Sequence, residues 1–322
     1  MTSRSGPEDA RLDPSFNAVM SERSQLLNVA YRLLGSLTEA EDAVQETYAR
    51  WYTLSPQQQA AIDSPGGWLT TVASRICLDV LGSARARRER YVGKWIPEPL
   101  PEPSEWINMR QTDLTTDPAD RVTLDETINM AFLVVLESMT PAERVAFILH
   151  DVFRYPFAEV AAIVGRSPAA SRQLASSARG RIRAATPAPA TPGTHQAEVV
   201  RKFKQAWEAC DLEALIGLLD PDATGIADGG GLASAELGPI HGGKEIARMS
   251  IEIANRRPDM TLLERTVNGQ PGLVSQVDGI TVTVYAFQIA GDRITHIWAV
   301  RNPDKLRPWT GGESNAASPP GG

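Results

Sequence analysis

Residues 156–184, PFAEVAAIVGRSPAASRQLASSARGRIRA, decide the fold of the middle of this chain. Apolar residues recur at spacings of three and four on both sides of Gly165, as on the buried face of a helix. The glycine between them is typical of a tight turn. The pattern therefore predicts a helix-turn-helix whose second helix begins at Ser167 or Pro168.

The second of these helices has two different faces. On a wheel of about 100° per residue, Leu174, Ala178 and Ile182 lie together and are predicted to pack inward. The opposite face is polar and basic, and its members are Arg172, Ser176, Arg179 and Arg183. Arginine can bind guanine through two hydrogen bonds and can also hold phosphates, so the pattern favours DNA binding. A solvated basic surface is the alternative that the pattern alone leaves open.

The bulk composition limits the kinds of site the chain can carry. Its 322 residues predict two or three domains, and a net charge of −7 means that any nucleic-acid site is local. The only cysteines, Cys77 and Cys210, lie far apart, so we expect a reducing compartment with neither a disulfide framework nor a cysteine zinc site. We expect no metal and no cofactor. The sequence shows no apolar signal core and no membrane-length apolar run, so we expect a cytoplasmic protein without a membrane segment.

Proline-rich stretches divide the chain, which is therefore predicted to be a multidomain protein. Two all-α domains, the second carrying the helix-turn-helix, are predicted before an α+β domain. That last domain opens with a helix predicted over 196–219 and continues with strands, since apolar residues alternate between Asp-Gly and Gly-Asp turns in 272–301. The predicted boundaries are a helical domain 15–92, a linker 93–117, a helical domain 118–184, a linker 185–195, an α+β domain 196–309 and a disordered tail 310–322.

A helix predicted over 38–51 is acidic on its outer side. Its apolar residues Ala40, Val44, Tyr48 and Trp51 share one face. The opposite face carries Asp42, Gln45 and Glu46. Such a face is either solvated or bound to basic groups of a partner.

Three long stretches resemble the extracytoplasmic-function group of bacterial RNA polymerase sigma factors. They are GSLTEAEDAVQETYARWY at 35–52, WLTTVASRICLDVLGSARARRER at 68–90, and LESMTPAERVAFILHDVFRYPFAEVAAIVGRSPAASRQLASSARGRIR at 136–183. The third domain resembles a SnoaL-like, NTF2-like domain. Short motifs, WIPEP at 95–99, DGGG at 228–231 and NPDKL at 302–306, resemble those of the sigma subgroup that carries this extension.

The resemblance implies core RNA polymerase and promoter DNA as partners. The polymerase contacts it implies are the β′ clamp helices, which would bind Asp42, Gln45 and Glu46, and the β flap. The helix at 68–90 would open and bind the −10 element, with Trp68 available for base stacking; its basic residues are Arg75, Arg85, Arg87 and Arg88. The family often has Asn at the position of Arg75 and Arg at that of Gly82. For the −35 element, base contacts would come from Arg172, Gln173 and Ser176 and phosphate contacts from Arg166, Arg179 and Arg183.

For the third domain we expect regulation of the sigma domains by intramolecular contact, with no separate anti-sigma factor and no catalytic residue. The residues expected to make this contact are Trp95, Pro97, Asp228, Gly229, Gly230, Asn302, Pro303 and Asp304. The alternative is a helix-turn-helix DNA-binding regulator fused to a ligand-binding or enzymatic SnoaL-like domain. An enzyme would need a general acid or base in its pocket, for which the candidates are Asp228, His241 and His296, the last predicted to share a strand face with Ile294 and Trp298.

Overall fold

The computed structural model describes residues 21–88, 91–102, 128–185, 193–233 and 238–310, with 84–88 described by their backbone alone. Much of the predicted linker 93–117, and the predicted tail beyond Thr310, lie outside the described residues. In the described part of the chain, no helix has the length and apolar character needed to cross a bilayer.

The first helical domain begins with a helix that ends at a glycine. Its helices are α1 (Arg23–Leu34), α2 (Leu37–Tyr52), α3 (Pro56–Ala60) and α4 (Pro65–Arg88). Gly35 adopts the left-handed conformation (φ 69°) that terminates α1. The next residue, Ser36, caps α2 by accepting a hydrogen bond from the backbone N–H of Glu39. Helix α3 was not predicted from the sequence.

The second helical domain contains the predicted helix-turn-helix. Its helices are α5 (Met130–Glu137), α6 (Pro141–Phe147), a π-helical turn (Ile148–Val152), α7 (Phe157–Val164) and α8 (Pro168–Ala185). A capping box between Thr140 and Glu143 starts α6. Gly165, at φ 68°, ends α7 and reverses the chain into α8. The predicted turn at Gly165 and the start of the second helix at Pro168 are confirmed.

The two helical domains share one hydrophobic core. Helices α1 and α4 supply Leu26, Leu33 and Leu69, and the second domain supplies Val145 and Ile148. Each of these residues has essentially no exposed surface. Because burying apolar area is the main stabilising contribution in folding, this common core favours contact between the two domains.

The third domain packs three helices on a mixed sheet. Its helices are α9 (Gly193–Glu208), α10 (Leu212–Leu218) and α11 (Gly243–Arg256), and its strands are β1 (Leu219–Asp228), β2 (Ile240–His241), β3 (Thr261–Val267), β4 (Gln270–Val277), β5 (Ile280–Ala290) and β6 (Arg293–Val300). The strand order is β2-β1-β6-β5-β4-β3, with β1 and β6 parallel and the other pairs antiparallel. The helix predicted over 196–219 starts earlier, at Gly193, and is broken at Cys210, where φ is 51°.

The two faces of this sheet have different partners. The helix face packs against α9 and α11, through residues such as Val199 and Phe203. The opposite face, here called the linker face, is covered by Ile96 of the linker and Met130 of the second helical domain. Two 3-10 turns at Pro303–Lys305 and Arg307–Trp309 lie at the edge of this cover. The described residues 96–101 of the proline-rich linker are therefore buried and do not form an exposed spacer.

Candidate nucleic-acid interface and linker interface

Helix α8 presents the predicted basic face to solvent. Its buried residues are Ser171, Ala175 and Ala178, while Leu174 and Ile182 pack partly buried against the core. The predicted DNA-contacting residues that are exposed are Arg166, Arg172, Gln173, Ser176 and Arg183. The helix therefore buries one face and leaves the other available, as binding in a major groove requires.

Two arginines of this face already have partners within the domain. Arg179 is half-buried and forms an ion pair with Asp151 at 2.9 Å between Nη1 and Oδ1. The Arg172 guanidinium lies 5.5 Å from the centre of the Phe157 ring, in cation–π geometry. Asp151 was not among the predicted site residues, because its position next to α8 depends on the π-helical turn. Its carboxylate would compete with a phosphate for Arg179.

Helix α4 is in contact with the helix-turn-helix. The exposed side chain of Arg75 donates a hydrogen bond from Nη2 to the carbonyl oxygen of Ala162, 3.1 Å away. Trp68 packs edge to face against Trp51, with 5.3 Å between ring centres, so its ring is partly occupied by the core. The side chains of the other predicted basic residues of α4, Arg85, Arg87 and Arg88, lie outside the described residues.

The acidic face of α2 is exposed as the helical spacing predicts. Asp42, Gln45 and Glu46 all lie on the solvent side, opposite the buried Ala40 and Val44. Glu46 forms an ion pair with Arg50 at 2.9 Å, and both side chains are about half exposed. Exposed pairs of this kind contribute at most about 1 kcal/mol, so Glu46 can exchange this partner for another cation.

Asp228, at the end of β1, binds the linker. Its carboxylate has no exposed surface. It accepts hydrogen bonds from the Tyr91 hydroxyl (2.6 Å), the backbone N–H of Ile96 (2.9 Å) and Nζ of Lys305 (2.7 Å). A buried carboxylate is stable only when it is paired and hydrogen-bonded, and here the linker supplies two of the donors.

Lys305 joins the same cluster from the C-terminal side. Its ammonium donates to the carbonyl oxygen of Ile96 and lies 4.0 Å from the centre of the Trp95 ring. Asn302 donates from Nδ2 to the Tyr91 hydroxyl at 2.8 Å. The contacts of residues 91–101 with Asp228, Asn268, Asn302 and Lys305 are called the linker interface below.

The remaining residues predicted for this contact have smaller parts in it. Gly230, at φ 62°, lies so close to Asn302 that an added Cβ would be 2.4 Å from its Nδ2. Pro97 packs beside Gly35, and Gly229 accepts turn hydrogen bonds from residues 232 and 233. Pro303 and Asp304 are exposed and belong to the turn rather than to the contact itself. Tyr91 and Lys305, which were not among the predicted contact residues, make more of the contact than these five.

Asn268, which was not among the predicted contact residues, forms a second part of the interface. It is fully buried at φ 50° in the β3–β4 turn. Its backbone N–H donates to the carbonyl of Leu100 (2.8 Å), and its Nδ2 donates to the hydroxyl of Tyr31 in α1 (2.8 Å). The Tyr31 hydroxyl donates in turn to the carbonyl of Glu98 at 2.7 Å. The third domain is therefore bonded both to the linker and to the first helical domain.

Glu98 is a buried carboxyl group within the same segment. Only 3% of its surface is exposed. Burial raises its pKa to about 7, although hydrogen bonds from the backbone N–H of Leu37 and the hydroxyl of Ser36 act in the opposite direction. The linker therefore contains a carboxyl group with a pKa near neutrality, and that group bonds to the first helical domain.

The three acid–base candidates do not lie together in a pocket. Asp228 is committed to the linker, and His241 is exposed on the edge strand β2. His296 stacks on Trp298 on the linker face, with its pKa lowered by burial. The prediction that Ile294 shares this face is wrong, because a β-bulge opposite residues 288 and 289 changes the alternation and Ile294 packs on the helix face.

The helical part of the chain has the arrangement of a two-module DNA-binding protein of the transcription machinery. Two profile matches support this class: Sigma-70 region 2 matches residues 18–88, and Sigma-70 region 4 matches residues 129–182.

Whole-chain relatives extend the match through the third domain. The chain is 38% identical to the ECF RNA polymerase sigma factor SigJ of Mycobacterium tuberculosis strain H37Rv, over 88% of this chain and 90% of the relative. It is 34% identical to the probable ECF RNA polymerase sigma factor SigI of Mycobacterium tuberculosis strain CDC 1551, over 92% and 96%. The crystal structure of Mycobacterium tuberculosis SigJ superposes with a TM-score of 0.71 at 34% identity, covering 91% of this chain and 98% of that one.

The chain belongs to the extracytoplasmic-function RNA polymerase sigma factors. The predicted fold class is confirmed, with two helical sigma domains followed by a helix-plus-sheet domain. As a member of this family, it is an alternative sigma factor that directs transcription initiation with core RNA polymerase at promoter DNA.

Proposed function

We propose that the SnoaL-like domain restrains this sigma factor through the linker interface. The observation that carries the proposal is the buried Asp228 carboxylate, which binds Ile96 of the linker and the flanking Tyr91 together with Lys305. The same domain contacts the first helical domain through Tyr31 and the second through Met130. One domain thus holds both sigma domains and the segment that joins them.

The described arrangement differs from the one that a promoter requires. The −35 and −10 elements lie about 25 base pairs apart, which is roughly 85 Å at ~3.4 Å per base pair. In this structure Arg75 of α4 bonds to Ala162 of α7 at 3.1 Å, so the two promoter-binding modules touch each other. The modules must separate before they can bind both elements at once.

A buried arginine also holds the two modules together. Arg144 of α6 is 2% exposed and donates to the carbonyl of Leu33 at the end of α1 (2.8 Å) and to Glu137 (2.6 Å). Burial lowers the pKa of this guanidinium to about 9. Separation of the modules would return both the arginine and the carbonyl to water, which offsets part of the loss of their hydrogen bond.

In the separated state we assign polymerase binding to the acidic face of α2. Asp42, Gln45 and Glu46 would contact basic groups on the β′ clamp helices, and the second helical domain would contact the β flap. Their exposure and charge support this assignment. Arg75, Arg172 and Arg179 would then give up their contacts to Ala162, Phe157 and Asp151 and bind DNA instead.

In this proposal the SnoaL-like domain takes the part of an anti-sigma factor, and no separate protein is needed. Its role is regulatory, so we propose no catalytic residue in it. The competing hypothesis is a DNA-binding regulator that acts without polymerase. It does not explain why the exposed face of α2 is acidic.

Capture of core RNA polymerase tests the assignment of the α2 face. Reversing two charges, with Asp42→Lys and Glu46→Lys, should reduce capture at least tenfold because the partner surface is basic. The matched control reverses two exposed glutamates on α9, with Glu198→Lys and Glu208→Lys, and should leave capture unchanged. Equal capture by both double variants would contradict the assignment.

A further inference from the structure

A large cavity lies between the helix face of the sheet and α11. Its volume is about 1170 Å³. Its walls are mainly apolar and aromatic, with Phe203, Trp207, Ile246, Ile297 and Leu306 among the lining residues. Sites for small organic molecules typically have volumes of about 300–1000 Å³ and walls of this kind. The cavity is therefore large enough for a molecule with a sizeable apolar body.

The charged residues of the cavity have predominantly one sign. Among the described residues that line it, the charged ones are Arg256, Arg257, Arg301, Arg307 and Asp304. Four positive charges against one negative contrast with the net charge of −7 for the chain. An anionic group on a ligand complements such a lining.

The arginines differ in how far they are already neutralised. Arg307 pairs with Asp304 at 2.8 Å, and Arg256 pairs with Glu252 at 2.8 Å. Within the described part of the chain, the exposed side chain of Arg257 has no ion-pair partner. Arg257 is thus the guanidinium best able to bind a ligand carboxylate, and it lies next to the apolar lining residue Met260.

The lining does not provide the groups expected of an acid–base enzyme. Among the described residues of the wall, Asp304 is the single carboxylate, and it is exposed and paired with Arg307; histidine does not occur there. The polar groups deeper in the wall are neutral hydroxyls, including those of Thr283 and Tyr285. Apart from the tyrosine hydroxyl, these groups are not general acids or bases, so the composition favours binding of a ligand.

One wall of the cavity also belongs to the linker interface. In the segment 301–310, Pro303, Leu306 and Thr310 line the cavity. In the same segment, Asn302 bonds to Tyr91, which flanks the linker, and Lys305 bonds to Ile96 of the linker. A ligand in contact with this wall is therefore separated from the linker by the thickness of one chain segment.

A chain of two hydrogen bonds makes the same connection through Trp309. The hydroxyl of Thr281, which lines the cavity, donates to the Trp309 carbonyl at 3.2 Å. The indole N–H of Trp309 donates to the carbonyl of Pro99 in the linker at 2.8 Å. The position of Trp309 is thus fixed from the cavity on one side and from the linker on the other.

We propose that the cavity binds an apolar organic acid, with the carboxylate at Arg257, and that the bound acid strengthens the linker interface. The site is formed while the segment 301–310 is held against the linker. A ligand that contacts this segment binds the restrained state better than the released one and shifts the population toward it. The regulatory half of this inference rests on the proposed function, whereas the binding half does not.

Titration calorimetry of the full chain with decanoate tests the binding half. We expect one equivalent to bind with a Kd below ~100 µM, and 1-decanol, which has the same apolar body without the charge, to bind at least tenfold more weakly. Arg257→Ala should weaken decanoate about tenfold and leave 1-decanol unchanged. The matched control Arg248→Ala removes an exposed arginine of α11 that does not line the cavity, and it should change neither. Absence of decanoate binding, or equal losses in the two arginine variants, would overturn the assigned site.

The regulatory half is tested with Lys305→Met, which removes the cation from the linker interface. By reciprocity, loss of this contact should weaken decanoate binding severalfold, and decanoate should reduce promoter-dependent transcription by the unmodified chain. Unchanged affinity together with unchanged transcription would overturn the coupling. If Lys305→Met leaves basal transcription unaltered while decanoate still binds through Arg257, the proposed function fails and the site stands. If the variant raises transcription and decanoate does not bind, the site fails and the proposed function stands.

Discussion

The two faces of the third domain's sheet are formed by the same strands, but one is covered by the protein's own chain and the other borders a cavity. The linker face is sealed by Ile96 and Met130 and is held by the buried Asp228–Lys305 ion pair. The helix face closes over only part of its area and leaves a cavity of about 1170 Å³. The difference shows that a sheet with side chains alternating between faces can bind its own chain on one side and keep a ligand-sized space on the other. Regulation then requires only a segment shared by both sides.

The largest expected effect comes from Lys305→Met, which leaves Asp228 buried without its cation. Breaking a buried pair in this way costs about 3–5 kcal/mol, so the restrained state should lose most of its advantage. We expect promoter-dependent transcription with core polymerase to rise by on the order of tenfold or more. Lys202→Met, at an exposed lysine of α9 paired with Glu198, is the control and should have no effect. Equal transcription by the two variants would show that the ion pair does not restrain the protein.

The second effect is a dependence on pH through Glu98. Because its pKa is raised from 4.5 to about 7, the restrained state binds a proton in this interval that the released state does not. The packing of the linker against the first helical domain, where Glu98 bonds to Ser36 and Leu37, should therefore be strongest at or below pH 4.5. It should lose about 3 kcal/mol as the pH rises to about 7 and stay constant above that.

Transcription measured at pH 6 and pH 8 checks this sign. The unmodified chain should be more restrained at the lower pH. Glu98→Gln keeps an oxygen to accept from the Leu37 N–H but cannot ionise, so the difference in restraint should disappear. An identical pH profile for both proteins would assign the titration to another group.

A matched pair of core substitutions separates the two faces directly. Val274 on the linker face and Val199 on the helix-face side are both almost fully buried. Replacing either with alanine should cost about 2 kcal/mol of folding stability, and thermal unfolding should show similar losses. Only Val274→Ala should raise transcription. If both variants raise it equally, general destabilisation rather than the linker face controls the restraint.

The smallest effect is expected from Tyr91→Phe. The hydroxyl donates to Asp228 at 2.6 Å and accepts from Asn302 at 2.8 Å, so its removal leaves one amide donor unpaired. The cost should be about 1–2 kcal/mol, with a severalfold increase in transcription. Tyr52→Phe, at an exposed tyrosine, provides the comparison and should give unchanged transcription.

The sequence predicted features that depend on local pattern. The turn at Gly165, the start of the following helix at Pro168 and the outward basic face of α8 follow from residue type and helical spacing, and the structure has them. The linker could not be placed in the same way. Prolines predict an extended chain, but its burial depends on partners such as Asn268, which lies far away in the sequence.

Local sequence patterns could not predict the details of the linker interface for the same reason. Lys305 and Tyr91 are ordinary residues in the sequence, and only their approach to Asp228 gives them a role. The bulge in β6 shifted Ile294 to the helix face, because a single extra residue reverses the alternation on which strand faces are predicted. Asn268 bonds to Tyr31 of α1, a partner that lies too far away in the sequence for a local pattern to predict.

The central claim is that the linker interface keeps the two promoter-binding modules in contact. Energy transfer between dyes on the contacting helices tests it, with cysteines introduced at the exposed Asp79 of α4 and Ala158 of α7 and the exposed Cys210 changed to serine. Without polymerase, we predict high energy transfer in the labelled protein that keeps Lys305. We predict clearly lower energy transfer in the labelled protein that also carries Lys305→Met. Transfer that stays equally high in the Lys305→Met variant would contradict the claim.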